Sequence, residues 1–136
     1  MPVSIEDQMP SWLRSTLLIL GSLLSLIAIL AFFLPNLLIP IFPWKLTALT
    51  ARSLSGWLVA VGTLMLSMRK ENSRTRSRLA TPMLMLVLPA LLLQMGRYAN
   101  EVNWASPTLW IGLLIFALTG ICGLILAIGN WRHAMN

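Results

Sequence analysis

Four long apolar stretches, at residues 12–34, 48–68, 79–98 and 107–130, take up most of the chain and decide what it can fold into. Each has about 20 residues, and at roughly 1.5 Å of rise per residue a helix of that length is on the order of 30 Å long, the thickness of a bilayer's hydrocarbon core. Hydrocarbon offers no partner to a peptide group, so a stretch that crosses it must close its own hydrogen bonds as a helix. The sequence therefore predicts an all-α fold, an integral membrane bundle of four transmembrane helices forming a single domain over residues 1–136. Composition agrees: of 136 residues, 57% are hydrophobic and 10% charged, against about 25% charged in a typical soluble domain. There is too little polar surface to cover a water-soluble globule.

The connections set the orientation. Residues 1–11, with Pro2, Glu6, Asp7 and Pro10, read as a loose tail. A cleaved signal peptide is disfavoured, because residues 17–34 are long for a signal core and no small-x-small site follows. Trp12 and Arg14 suit an aromatic and basic anchor at the first helix's start. Pro35, Pro40 and Pro43 interrupt regular helix, and the apolar residues 36–42 between them are expected to lie in the interface or to fold back onto the bundle. Thr47 is placed to cap the second helix.

Residues 69–78 are the most polar in the chain, with Arg69, Lys70, Arg74, Arg76 and Arg78 against Glu71 alone. Such a run marks a cytoplasmic loop, and four crossings then put both termini in the cytoplasm. Arg14 and Arg132 join the loop, so seven of the ten Lys and Arg fall inside and only Lys45, Arg52 and Arg97 outside. This distribution accounts for the net charge of +6 and the pI near 11.2; with no nucleic-acid-binding signature, no nucleic-acid partner is implied. In the third helix Pro82 falls in the first turn, where a missing amide costs little, while Pro89 falls mid-span and should kink it. Ser106 is the expected cap of the fourth helix, with Pro107 in its first turn. Trp110 and Trp131 mark that helix's two interfaces.

Three helices carry stripes of small residues. On the second, Ser53, Gly56, Ala60, Thr63 and Ser67 recur at i, i+3, i+7, i+10 and i+14; on the first, Gly21, Ser25 and Ala28 share a face; on the fourth, Gly120, Gly123, Ala127 and Asn130 do. In lipid, helices gain little by hiding apolar surface, so close backbone approach and dispersion hold them together, and small residues permit that approach. The second helix is therefore read as the central, neighbour-facing one.

Ionisable groups at membrane depth are the candidate functional residues, since a charge there needs a partner or a wet cavity. Arg52 lies one turn into the second helix, where it opposes the helix dipole. Gln94, Arg97 and Glu101 fall on one face of the third. The topology puts all four at the outer level, as a polar cluster that Trp57 and Trp104 could roof. Two arginines against one carboxylate would suit a lipid headgroup or a small anion. The competing reading is structural, with side chains snorkelling to the interface to fix helix depth. Enzyme chemistry has no support: there is one histidine, His133, in the C-terminal tail, one cysteine, Cys122, in an apolar run, and no spaced carboxylate pair. No catalytic residue, cofactor or metal site is expected, and Met83, Met85 and Met95 read as packing residues.

The segment Pro43-Trp44-Lys45-Leu46-Thr47-Ala48-Leu49-Thr50-Ala51-Arg52, followed by Gly56-Trp57, resembles one found in uncharacterised small bacterial membrane proteins of four helices. The resemblance implies a multi-pass protein of the bacterial cytoplasmic (inner) membrane and brings no activity with it. The resulting expectation is a non-enzymatic structural or accessory component that packs with other membrane helices. Its partners would be membrane lipids and either other membrane subunits or its own copies. The alternative is a small transporter or a lipid- or anion-binding protein using the outer cluster.

Overall fold

A computed structural model describes residues 8–73 and 76–135, and nearly all of them are helical. The helices are α1 (Ser11–Phe33), α2 (Pro35–Leu38), α3 (Ala48–Glu71), α4 (Thr81–Arg97) and α5 (Pro107–Met135), with 3-10 turns at Ile39–Ile41, Arg76–Leu79 and Ala99–Glu101. The described residues form no strand, only an isolated antiparallel bridge between Gln8 and Ser73. Arg74, and the side chains of Arg76, Arg132 and His133, lie outside the described residues.

Local chemistry fixes where the helices begin and end. Thr47 caps α3 as expected: its hydroxyl accepts from the Thr50 amide at 3.2 Å, and the Thr50 hydroxyl accepts from the Thr47 amide at 2.8 Å. This is a reciprocal capping box with threonine in the place usually held by glutamate. At its other end α3 runs to Glu71, three residues beyond the apolar stretch. Arg69 and Lys70 sit in its last turn, where cations complement the dipole. The break comes at Asn72, in the left-handed region at φ 49° and ψ 28°, a conformation asparagine tolerates better than most residues. α4 begins at Thr81 instead of residue 79, because Arg76–Leu79 first close a 3-10 turn. Hydroxyls stitch that turn, Ser77 Oγ donating to the Ser73 carbonyl at 2.7 Å and Thr81 Oγ1 to the Ser77 carbonyl at 2.9 Å. The helical backbone of α4 continues through Pro89.

Three further expectations are corrected. The proline-rich connection is not irregular throughout: Pro35 opens the single turn α2, where a proline's missing amide is harmless, and the 3-10 turn follows directly. Residues 8–10 do not belong to a loose tail, since Gln8 pairs with Ser73 and Met9 is buried in the core. Ser106 does not cap α5 through its hydroxyl; that group bonds the Thr108 hydroxyl at 2.6 Å instead.

The four long helices form two hairpins, α1 against α3 and α4 against α5. All four run between the same two ends. At one end Gln8 meets Ser73, and an Arg78 guanidinium nitrogen donates to the Asn130 carbonyl at 3.0 Å. At the other, the Asn103 amide donates to the Pro43 carbonyl at 2.7 Å, and Thr108 Oγ1 donates to the Ile41 carbonyl at 2.6 Å. The Thr108 proton is committed to Ile41, so Ser106 is the donor in its bond to Thr108.

α1 and α3 meet along heptad-spaced faces. Leu13, Leu17, Leu20 and Leu24 pack from α1, and Ala51, Ser55, Leu58, Gly62 and Met65 from α3. Leu84 of α4 with Cys122 and Leu126 of α5 complete the same core. A smaller cluster of Met95, Val102 and Leu109 seals the end opposite the N-terminus. The outside is as apolar as the inside: Leu93 is 77% exposed, Phe33 71% and Ile19 64%. A water-soluble monomer does not show a surface of this kind. Ser11–Phe33, Ala48–Glu71 and Pro107–Trp131 are long and apolar enough to cross a membrane. α4 is apolar but shorter, at 17 residues.

Candidate functional site

Arg52, Gln94, Arg97 and Glu101 lie toward one end of the bundle, all four exposed. Arg52 extends from α3 toward α1, its Nε donating to the Phe32 carbonyl at 3.4 Å. That carbonyl belongs to the last turn of α1, where backbone oxygens lack intrahelical donors. Arg52 thus adds charge to a negative helix end, and this offsets its unfavourable place at the start of its own helix. Gln94 and Arg97 stand exposed on α4, and Glu101 is exposed in the turn that follows. Among the described residues no hydrogen bond or ion pair joins any two of the four. Trp57 is 70% exposed on α3, and Trp104 spends its indole N–H on the Ala99 carbonyl at 2.9 Å.

The small-residue stripes separate into two kinds. Those of α1 and α5 are used inside the chain. A Cβ on Gly21 would lie 3.0 Å from the Gly62 carbonyl oxygen, and one on Gly123 would lie 2.9 Å from both the Leu84 Cβ and the Met85 amide nitrogen. Gly120 is looser, at 3.4 Å from the Leu88 Cβ, and Ala127 and Asn130 continue its face, Asn130 buried. Each hairpin is therefore held by one close approach of backbones. On α3 the residue that permits it is Gly62, which lies outside the small-residue stripe. A Cβ there would meet Ser25 Oγ and come within 2.8 Å of the Gly21 carbonyl oxygen.

The stripe expected to make α3 central points the other way. Ser53, Gly56, Ala60, Thr63 and Ser67 are all exposed, and a Cβ on Gly56 would have nothing within 4 Å. α3 turns its heptad face to α1 and leaves this second face on the outside. On this face the Thr63 hydroxyl donates back to the Val59 carbonyl at 2.8 Å.

No group of three or more His, Cys, Asp or Glu that could hold a metal occurs among the described residues. Cys122 is a buried free thiol in the core of the α4–α5 hairpin. Comparison with protein-family models, curated proteins and solved structures finds no match, so any functional reading must come from the chain's own geometry.

Proposed function

We propose that this chain is a four-span protein of a bacterial cytoplasmic membrane, with both termini in the cytoplasm. On this reading it acts without catalysis, as a structural or accessory component that packs against a membrane-spanning helix outside the chain. The observation that carries the proposal is the outward face of α3, where five small residues over four turns are all exposed and a Cβ on Gly56 would meet nothing within 4 Å. In lipid a flat strip of this kind lets a second backbone come close, and Trp57 beside Gly56 can close over such a partner. The fourth crossing is supported by α4's length of about 26 Å, at the short end of the spanning range, and by its contacts at both ends of the bundle. The grouping of Arg14, Arg69, Lys70 and Arg78 at the end holding Ser73 and the α3 C-terminus supports the orientation.

The test is the mass of complexes extracted in mild detergent, for the natural chain and for Gly56→Leu with Ala60→Leu. Neither position touches the chain's own core, so the variant should remain folded. The natural chain is expected in a stoichiometric complex, with a second copy or another membrane protein, and the variant as a monomer. A natural chain that is monomeric at every protein concentration, or a complex unchanged by the variant, would refute the proposal.

A further inference from the structure

At the end where α1 begins and α3 finishes, Ser11, Arg14, Ser15 and Leu18 of α1 and Arg69 of α3 line a cleft of about 170 Å³. Ser11, Arg14, Ser15 and Leu18 fall at i, i+3, i+4 and i+7, one face of the helix. Both guanidinium groups are half-buried, and among the described residues neither makes a hydrogen bond or an ion pair. Arg14 Nε is shut off from solvent and still has no acceptor. A buried charged donor without an acceptor is among the costlier defects a fold can carry. Here it is aggravated twice over. Arg14 sits in the first turn of α1, where the helix dipole is positive, and a second cation lines the same small space.

We propose that this cleft is a phosphate-binding site. An anionic phosphoryl group there would give Arg14 Nε its missing acceptor and relieve the repulsion between the two arginines. Guanidinium forks match the spacing of phosphate oxygens, and two of them can hold one group from both sides. The Ser11 and Ser15 hydroxyls are at hand as further donors. Leu18, next along the face, gives the cleft an apolar floor, which suits the glycerol end of a phospholipid whose chains lie against α1. The site is separate from the outward face of α3, and it holds or fails whether or not the chain assembles.

The test uses the full-length protein in detergent, with intrinsic tryptophan fluorescence and native mass as readouts, titrated separately with short-chain phosphatidylglycerol and with inorganic phosphate. Saturable binding of either by the natural chain is expected. Response to the lipid alone assigns a headgroup, and response to both assigns the phosphoryl group itself. Arg14→Gln and Arg69→Gln should each weaken binding by roughly tenfold or more, while Arg52→Gln with Arg97→Gln, at the other end, should leave it unchanged. If one cleft variant fails to fold, the other still decides. Absence of binding to both probes, or binding as tight in the folded cleft variants as in the natural chain, overturns the proposal.

Discussion

Gly62→Ala adds one methyl group at the tightest point of the α1–α3 contact, and the structure sets what it must do. The new carbon would lie 2.8 Å from the Gly21 carbonyl oxygen and 3.1 Å from the Ser25 amide nitrogen. Both are backbone atoms of a helix, so no rotamer change can make room. Restoring ordinary contact requires the two helices to part by roughly 0.5–1 Å, which forfeits about a quarter to a half of the dispersion attraction of each atom pair along the seam. Overpacking of this kind costs about 1–3 kcal/mol. Replacing glycine by alanine inside a helix returns about 1 kcal/mol, leaving a net loss of up to about 2 kcal/mol. Gly112→Ala on α5 is the control, because a methyl there meets nothing within 4 Å. That variant keeps the helical gain and should be neutral or more stable by up to about 1 kcal/mol. Reversible unfolding in mixed micelles, followed by far-ultraviolet circular dichroism as the denaturing detergent fraction rises, reads both. If Gly62→Ala is as stable as Gly112→Ala, the backbones do not meet at this point and the described α1–α3 seam is wrong.

Other expectations are smaller. Ser25 Oγ is buried against Gly62 with no hydrogen-bond partner, so Ser25→Ala should be neutral or stabilising by up to about 1 kcal/mol in the same unfolding assay; a loss of that size would mean the hydroxyl has a partner. Thr108→Val removes both the bond to the Ile41 carbonyl and the acceptor for Ser106. It should cost about 1–2 kcal/mol and speed amide hydrogen exchange around residues 39–42 without altering exchange in the middle of α1, and unchanged exchange there would count against the tie. Arg52→Ala and Arg97→Ala should be additive within about 0.5 kcal/mol, because Arg52 bonds the Phe32 carbonyl and Arg97 shares no hydrogen-bond partner with it among the described residues. A coupling above about 1 kcal/mol would show that the two arginines act as one unit.

Much of the bundle was readable from residues whose physics is local. The threonine at position 47 announced the start of α3, and apolar runs of membrane length announced α1, α3 and α5. The end of α3 was misplaced because polarity alone does not stop a helix; the stop is Asn72, and Arg69 and Lys70 prolong the helix up to it. Glycines of the α1 and α5 stripes face neighbours within the chain, whereas α3 has two faces fit for close packing. One is the uninterrupted small stripe through Gly56, and the other is the mixed heptad face through Gly62. Periodicity finds both and cannot say which meets α1, since that depends on a glycine 41 positions earlier, at Gly21, approaching from another helix. Arg52 illustrates the same limit: its place at one end followed from the sequence, while its bond to the Phe32 carbonyl depends on α1 lying beside α3. The Arg14–Arg69 cleft was invisible for that reason as well, each arginine looking like an ordinary interfacial cation until α1 and α3 were brought together.

The central claim is that four helices cross the membrane and leave the arginine-rich connection inside. Single cysteines at Gln8, Lys70 and Asn103, each exposed, can be probed in intact cells with a membrane-impermeant maleimide, with the buried Cys122 replaced by alanine as background. The account predicts rapid labelling of Asn103→Cys from outside, and labelling of Gln8→Cys and Lys70→Cys only after the cells are opened. Labelling of Asn103→Cys and Lys70→Cys from the same side would show that α4 does not cross, and would contradict it.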